Sequence, residues 1–277
     1  MTKINLKLMD TTKNIDGTLK RPRPGFPWHY GHFIHDVVLP FSHIYLQYLE
    51  NGKTIKNTTL SDSEKQTIGT FETHFNTLFD ISHKEITKND FIKRKQSIVK
   101  LEQYGFGPFP RQYAIPLKRY IYNKFSLTKT PPQQICIIKR GVSKLRFDNS
   151  NRLRYKTGKD KPRDIANFGK LKQEIRKKYI LKEIVLDNMT IKDQLEIFAN
   201  CKCLIGIHGA GMTNVVWLQD KSLLIEIKKK GLPNSIKHLS NASNCDYNCV
   251  IPDDKLINVK SIIDILDNKF GSGQHSN

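Results

Sequence analysis

The sequence predicts an α/β protein whose C-terminal half is built on a parallel sheet. Beyond Pro131 and Pro132, short apolar runs alternate with segments whose apolar residues recur at helical spacing. Strands separated by helices of this length are typical of parallel sheets with right-handed crossovers. Residues 203–214 add the second observation, because an apolar run passes there through a glycine-broken turn into another apolar segment. The rest of this half is arranged around that strand–turn–helix unit.

The N-terminal half is less regular. Residues 1–27 are polar and then proline-rich, which predicts an extended lead-in rather than a helix. From residue 28 the apolar residues follow helical spacing, and Pro40 is expected to kink or restart that helix. Another helix is expected around residues 117–125. The predicted divisions are a lead-in at 1–27, an N-terminal domain at 28–130, a C-terminal domain at 131–270 and a disordered tail at 271–277.

In the C-terminal half, Thr190 is a good N-cap because Asp193 follows three residues later. The predicted strands are residues 135–138, 183–186, 203–207 and 222–227. The predicted helices lie near residues 164–179, after Thr190 and from Met212.

The turn between the strand at 203–207 and the helix from Met212 is a candidate anion site. Gly209 and Gly211 let the backbone turn tightly, and Ala210 stands between them. A strand that ends in such a turn and opens a helix directs backbone N–H groups and a positive dipole end outward, which suits a phosphate. The alternative is an ordinary βα connection with His208 on its rim, since a lone Gly-x-Gly pattern is not specific.

Other polar residues fall at the same predicted sheet edge, where ligands of parallel sheets bind. Arg140 can hold a diphosphate bidentately, and Lys139 supplies a point charge; a surface salt bridge is the alternative. Glu226 can accept both ribose hydroxyls of a nucleotide or pair with a neighbouring lysine. Thr213 and Asn214 either donate to phosphate or cap the helix.

A second cluster lies near the start of the first helix. His32, His35 and Asp36 share one helical face by their spacing. A histidine beside a carboxylate makes a general base, because the acid orients the ring and stabilises its charged form. Two histidines three residues apart can also bind a metal, but no third ligand stands out in the sequence. Simple packing of the histidines is the remaining alternative.

Composition limits the classes of function. The chain of 277 residues carries 46 basic and 26 acidic residues, a net charge of +20. Residues 139–178 alone contain 15 Lys/Arg and four acids, so this span carries +11. Such a field favours nucleic acid, an anionic membrane surface or phosphorylated small molecules. The five cysteines show no metal-ligand spacing, and free thiols in a reducing compartment are expected.

No run of residues has the apolar length of a membrane span, and the N-terminus lacks a hydrophobic signal core. A cytoplasmic protein is expected from these two observations.

Three islands of the sequence resemble glycosyltransferase family 61, which includes O-linked and O-mannosyl GlcNAc transferases and plant xylosyl- and arabinosyltransferases. The specific island is the His-Gly-Ala-Gly turn within residues 190–226. Residues 32–40 are similar to the family's histidine-rich helix. Residues 103–106, followed by the strand that leads to Arg140, resemble its central turn and its strand leading to arginine. Lys139 and Arg140 stand where many relatives have paired arginines.

The resemblance implies a GT-B-like α/β fold, in which two Rossmann-like domains face a cleft. In a departure from the family, the N-terminal domain is expected to be reduced, because few residues precede the histidine-rich helix. It implies inverting, metal-independent transfer from a UDP-sugar (UDP-GlcNAc or UDP-xylose) to a glycan or glycoprotein, with no cofactor. The donor would bind the C-terminal domain at Arg140 and the His208 turn. The N-terminal domain would face the acceptor, with Asp36 or His35 as base and His32 and Tyr104 on the acceptor side.

Of the two candidate bases Asp36 is slightly favoured, because a carboxylate accepts a proton without needing a particular tautomer. Two other functions remain open at this point. One is a basic α/β protein that binds nucleic acid, although no RNA-recognition or helix-turn-helix motif is present. The other is a catalytically inactive relative that serves as a scaffold.

Overall fold

A computed structural model describes residues 16–20, 30–52, 57–61, 71–86, 97–100, 109–127, 130–139, 165–187 and 189–271. The chain divides into two compact units, Met1–Lys124 and Phe125–Asn277. Each unit contains a parallel sheet, so the predicted α/β class is confirmed in both halves.

The first unit contains a four-stranded sheet with the order β3-β2-β1-β4, in which all neighbouring strands are parallel. Its elements are β1 (Asp16–Lys20), α1 (Tyr30–His32), a π-helix (Phe33–Val38), α2 (Leu39–Glu50), β2 (Asn57–Ser61), α3 (Glu72–Phe79), β3 (Ser82–Ile86), β4 (Ser97–Lys100) and α4 (Arg111–Lys124). Strand β1 lies within the segment predicted as a lead-in. The extended conformation agrees with that prediction, but β1 pairs on both sides and is an inner strand of the sheet.

The helical stretch from Tyr30 to Glu50 changes its winding where Pro40 enters. Because proline has no N–H, the regular hydrogen bond from position 40 to the carbonyl of Asp36 cannot form. The N–H of Leu39 instead reaches the carbonyl of Ile34, five residues back, and the segment before it is wound as a π-helix. The predicted irregularity at Pro40 is therefore confirmed. Such π segments are frequent at functional sites.

Helix α4 begins at Arg111, six residues before the predicted start at position 117, and continues across Pro116. Its buried face includes Leu117 and Ile121. Tyr120 on this helix contacts Tyr45 of α2, whose hydroxyl donates to the carbonyl of Phe79 (2.6 Å). These contacts fix the helix that carries the histidine cluster within its own unit.

The second unit is a five-stranded parallel sheet with the order β6-β5-β7-β8-β9. Its elements are β5 (Gln134–Ile138), α5 (Phe168–Arg176), β6 (Leu181–Ile184), α6 (Ile191–Ala199), β7 (Cys201–Ile207), a 3-10 helix (Ala210–Trp217), β8 (Leu223–Ile227), α7 (Ser235–Ala242), β9 (Asp246–Val250) and α8 (Val259–Phe270). The first strand of this unit, β5, lies between the second and the third. The strand order therefore reverses between β5 and β7, and open α/β sheets bind ligands beyond the carboxyl ends of the strands at such a switch point.

The core of this unit explains its strands. Residues of β5, β7 and β8 are almost wholly inaccessible, because the sheet is covered by helices and its strands read as continuous apolar runs. Cys136, Cys201, Cys203 and Cys245 are buried free thiols, and Cys249 is an exposed one. None of the helices in the described ranges is both long and apolar enough to cross a membrane.

Thr190 caps α6 as predicted. Its hydroxyl accepts the N–H of Asp193 (3.1 Å), and the Asp193 carboxylate accepts the N–H of Thr190 (3.2 Å).

We expect Thr190→Ala to lower the free energy of unfolding by about 1 kcal/mol, because this reciprocal cap is lost. Urea unfolding followed by circular dichroism measures the change. Lys192→Ala is the control, since its ammonium lies 4.0 Å from Glu196 on an exposed face; an equal loss in both variants would contradict a specific role of the cap.

Candidate functional site

The switch point of the second sheet gathers the predicted residues of the C-terminal half. Lys139 follows β5, His208 follows β7, and Glu226 lies in β8, in register with Gly206 of β7. Lys139 is exposed, and its backbone N–H bonds to the carbonyl of Ile184 (2.8 Å). The carboxyl ends of these strands therefore lie at one edge of the sheet, as the sequence predicts.

The turn after β7 differs from the predicted one. Residues 210–217 form a 3-10 helix rather than an α-helix from Met212, with the N–H of Met212 bonded to the carbonyl of Gly209 (3.0 Å). The N–H of His208 bonds to the carbonyl of Ile227 (2.9 Å) and cannot serve a ligand. Among the described residues the N–H groups of Ala210 and Gly211 have no backbone acceptor, as expected at the start of such a helix.

The glycines serve packing more than backbone freedom. None of the three in this segment lies in the left-handed region, so the turn does not require a backbone conformation reserved for glycine. The predicted close approach of another group is confirmed at Gly211. A Cβ at Gly206 would lie 2.5 Å from the Met212 sulfur, and one at Gly211 would lie 2.9 Å from Leu186. At Gly209 the nearest atom would be 3.8 Å away. Of these three glycines, Gly209 alone has room for a side chain.

Two predicted phosphate ligands face inward. The Thr213 hydroxyl donates to the carbonyl of Ala210 (2.6 Å), and the Asn214 amide donates to the carbonyl of Gly211 (3.0 Å). Both side chains are buried. Neither side chain caps the helix, whose N-cap residue Gly209 makes no side-chain hydrogen bond. Each side chain instead donates to a carbonyl three residues back in the same helix, so neither of the two predicted roles is observed.

Glu226 does not serve the predicted role. Its side chain is fully buried, and both carboxylate oxygens accept hydrogen bonds, one from His208 Nδ1 (2.5 Å) and one from the Tyr247 hydroxyl (2.5 Å). The prediction that Glu226 binds ribose is therefore wrong in this structure, because neither oxygen faces solvent. Glu226 instead orients His208, whose side chain is 13% exposed and whose Nε2 lies on the far side of the ring.

Tyr247 was not identified from the sequence, whereas pairing of Glu226 with a neighbouring lysine was the predicted alternative and is observed at Lys228. Tyr247 pairs in register with Leu224, two residues before Glu226, so the two side chains share one sheet face. Burial and the Glu226 carboxylate raise the pKa of Tyr247. The Lys228 ammonium lies 3.8 Å from Glu226 and makes shorter bonds to Pro233 and Asn234. Recognising residues 246–250 as a strand beside β8 would have placed Tyr247 on the same sheet face as Glu226.

The first unit contains the histidine cluster on its π-helical segment. Asp36 accepts hydrogen bonds from His32 Nδ1 (2.9 Å) and His35 Nδ1 (2.8 Å), one on each oxygen. Asp36 and His35 are buried, whereas the His32 side chain is 25% exposed. Burial alone would raise the pKa of Asp36, but the two histidines together hold it well below its ordinary value. The predicted single face is thus confirmed.

This geometry reverses the preference between the candidate bases. A carboxylate with a strongly lowered pKa is a weak base, and both oxygens of Asp36 are already engaged by imidazole rings. Asp36 is placed to fix the tautomer and orientation of His35 and His32, which leaves an imidazole Nε2 as the proton acceptor. The same three residues also have potential ligand atoms within 4.8 Å of one another, so this cluster could hold a metal ion.

Two predicted site residues, Arg140 and Tyr104, lie outside the described residues, as do most of the basic span and residues 272–277 of the predicted tail. Within the described ranges, the two units present two constellations built on the same principle. Each has an imidazole whose Nδ1 is held by a buried carboxylate. Such an imidazole can take a proton at Nε2, or donate one from Nε2 to an anion.

Comparison with known proteins places these residues in a family context. A family model described as Glycosyltransferase 61 matches residues 30–225. The chain is 25% identical over 130 residues to the EGF domain-specific O-linked N-acetylglucosamine transferase of Drosophila melanogaster. That alignment covers 46% of this chain and 22% of the relative, so the chain spans about a fifth of the relative's length.

Among solved structures, the chain resembles the iron-containing dodecameric glycosyltransferase TibC of enterotoxigenic E. coli H10407, with a TM-score of 0.38 and 11% identity. That likeness covers 80% of this chain and 60% of TibC. TibC in complex with ADP-D-beta-D-heptose gives a TM-score of 0.35 at 11% identity, covering 82% of this chain and 62% of that one.

Proposed function

The chain belongs to glycosyltransferase family 61, and from this premise we propose that it transfers a sugar from a UDP-sugar to a hydroxyl group of a glycan or glycoprotein. The transfer inverts the sugar's anomeric configuration and needs no metal ion. The observation that carries the proposal is the imidazole of His208, held by buried Glu226 at the switch point of the second sheet.

A metal-free transferase must stabilise the departing diphosphate with protein groups. A protonated His208 offers Nε2–H to a phosphate oxygen, and its charge is balanced by Glu226. The backbone N–H groups of Ala210 and Gly211 and the exposed ammonium of Lys139 provide further donors at this edge. These groups support a nucleoside diphosphate, because that ligand needs several donors in a small space.

For the histidine cluster of the first unit we propose a role in activating the acceptor hydroxyl. Inversion requires one base to take the proton of the acceptor hydroxyl while the sugar–phosphate bond breaks. In this proposal His35 is that base, Asp36 fixes its ring, and His32 completes the cluster. The Drosophila relative is named as an O-linked N-acetylglucosamine transferase, which makes UDP-GlcNAc the first donor to test and UDP-xylose the second.

Saturation-transfer NMR on the full chain tests the proposal directly. We expect contacts from UDP and from one UDP-sugar, weaker contacts from ADP- and GDP-sugars, and no change when EDTA is added. Loss of donor contacts with EDTA would refute metal independence. The absence of contacts from every nucleotide sugar would refute the proposed function.

Gly209→Ala separates a structural role of the turn from a binding role. Since a Cβ at position 209 meets nothing closer than 3.8 Å, we expect the stability of the protein to stay unchanged. A methyl group beside the N–H groups of Ala210 and Gly211 should hinder the phosphate and weaken UDP binding about tenfold, the equivalent of one charged hydrogen bond. Isothermal titration calorimetry measures the affinity.

Gly169→Ala is the matched control for this variant, because a Cβ there also has open space but lies on α5. Its UDP affinity should equal that of the wild type. Equal affinities for both variants would show that the backbone of the turn does not contact the diphosphate.

A further inference from the structure

Tyr247 lies where it can control His208 through Glu226. Its hydroxyl donates to one carboxylate oxygen of Glu226 (2.5 Å), while His208 Nδ1 donates to the other (2.5 Å). The three residues come from the exit of β7, from β8 and from β9. One fully buried carboxylate thus links a half-buried tyrosine to the imidazole at the sheet edge.

Few other groups bear on this carboxylate within the described residues. The Lys228 ammonium is 3.8 Å away, and its shorter bonds go to the carbonyl of Pro233 (3.2 Å) and the side chain of Asn234 (2.7 Å). Cys249, on the same strand as Tyr247, interacts with the phenol. Because burial and Glu226 raise the pKa of Tyr247, the phenol remains a donor at every working pH.

We propose that Tyr247 is a positioning residue for the nucleotide: it holds Glu226 so that the carboxylate keeps the His208 ring directed at the diphosphate. A carboxylate held on one oxygen only can rotate, and the Nδ1 proton of the imidazole then has no fixed acceptor. When Tyr247 holds one oxygen of Glu226, the carboxylate cannot rotate, and the other oxygen stays directed at His208 Nδ1. This inference rests on the proposed function for its effect on binding, but the Tyr247–Glu226–His208 link can be measured without a ligand.

A double-mutant cycle with UDP as the probe tests the effect on binding. We expect Tyr247→Phe to weaken UDP binding about fivefold, the value of one net hydrogen bond, in calorimetric titrations of the full chain. In a His208→Ala background, Tyr247→Phe should cause no further loss, because its effect passes through His208. Equal losses in both backgrounds would overturn the proposal, since they would indicate a structural role that bypasses the imidazole.

Tyr179→Phe is the matched control. Tyr179 is also a tyrosine of the second unit that donates to a carboxylate, at 2.7 Å from Asp267. It precedes the amino end of β6, whereas His208 follows the carboxyl end of β7. Its removal should leave UDP affinity unchanged.

Proton NMR reads the link in the unliganded protein. When Tyr247→Phe removes one donor, Glu226 becomes a stronger acceptor, and the Nδ1 proton of His208 should move downfield. Site-specific 3,5-difluorotyrosine at position 247 keeps the shape of the side chain and donates more strongly, so the same proton should move upfield. This second variant keeps the test decisive if Tyr247→Phe does not fold.

The two experiments separate the two ideas. An Nδ1 proton that does not move in either variant overturns the role of Tyr247, whatever the ligand is. If the Nδ1 proton shifts in the variants but the wild-type protein binds no UDP, the link between Tyr247 and His208 is supported. The proposed function is then overturned instead.

Discussion

Replacing His35 with alanine is expected to lower kcat about a hundredfold or more, while the KM for the donor changes little. The reason is that His35 is proposed to take the acceptor's proton, a step that typically contributes a factor of about 10² to 10⁴. Initial rates at saturating donor and acceptor measure the effect. An unchanged kcat would remove the histidine cluster from the reaction.

His43→Ala provides a matched control on the adjoining helix. His43 stacks on Tyr113 and bonds to Gln47, away from Asp36 on the same helical stretch. Its removal should alter stability slightly and leave kcat unchanged. If both histidine variants lose activity equally, the loss arises from damage to the helix and not from the missing base.

Asp36→Asn should lower the free energy of unfolding as well as kcat. The folded protein holds the pKa of Asp36 below its ordinary value, so ionised Asp36 stabilises the fold above the unfolded pKa. This contribution is expected to be full at pH 7 and to fall only below about pH 4, as the carboxylate gains a proton in the unfolded chain. Urea titrations at several pH values measure the difference in the free energy of unfolding between wild type and variant. This difference should stay constant near pH 7 and become smaller in acid.

Much of the second sheet could be predicted from the sequence, because its strands are buried on both faces and read as unbroken apolar runs. Strand β7 and the cap at Thr190 are examples. Strand β9 was missed because most of its residues are exposed and polar, as suits an edge strand. Strand β1 was missed for another reason: a five-residue strand beside a proline-rich stretch has no local pattern that distinguishes it from an extended lead-in.

The candidate site, too, could be predicted only in part from the sequence. The sequence placed His208 and Glu226 at one sheet edge, since that follows from strand order alone. It could not show whether Glu226 faces a ligand or its neighbours, because burial depends on Tyr247, 21 residues later in the chain. Asp36 was misjudged for a similar reason: spacing shows that two histidines are near, but only geometry shows that both bond to the carboxylate.

Glu226→Gln is the variant expected to affect the donor site most. The carboxylate makes two short hydrogen bonds in a fully buried position, one of them to the imidazole that is proposed to bind the diphosphate. An amide removes the carboxylate's charge and places an NH₂ donor against donors, so we expect UDP affinity to fall about tenfold to a hundredfold, since charged hydrogen bonds contribute about 1.5–3 kcal/mol. Calorimetry at pH 7 measures the change.

Glu183→Gln is the control for charge removal alone, because Glu183 is a partly exposed glutamate of β6 that pairs with Lys172 and Arg176. It should leave UDP affinity unchanged. His208→Ala should match the loss of Glu226→Gln, and the double variant should lose no more, because the carboxylate acts on the diphosphate only through the imidazole. If Glu226→Gln binds UDP with wild-type affinity, the diphosphate binds elsewhere. If the losses of the two single variants add in the double variant, Glu226 supports the turn and does not act through His208.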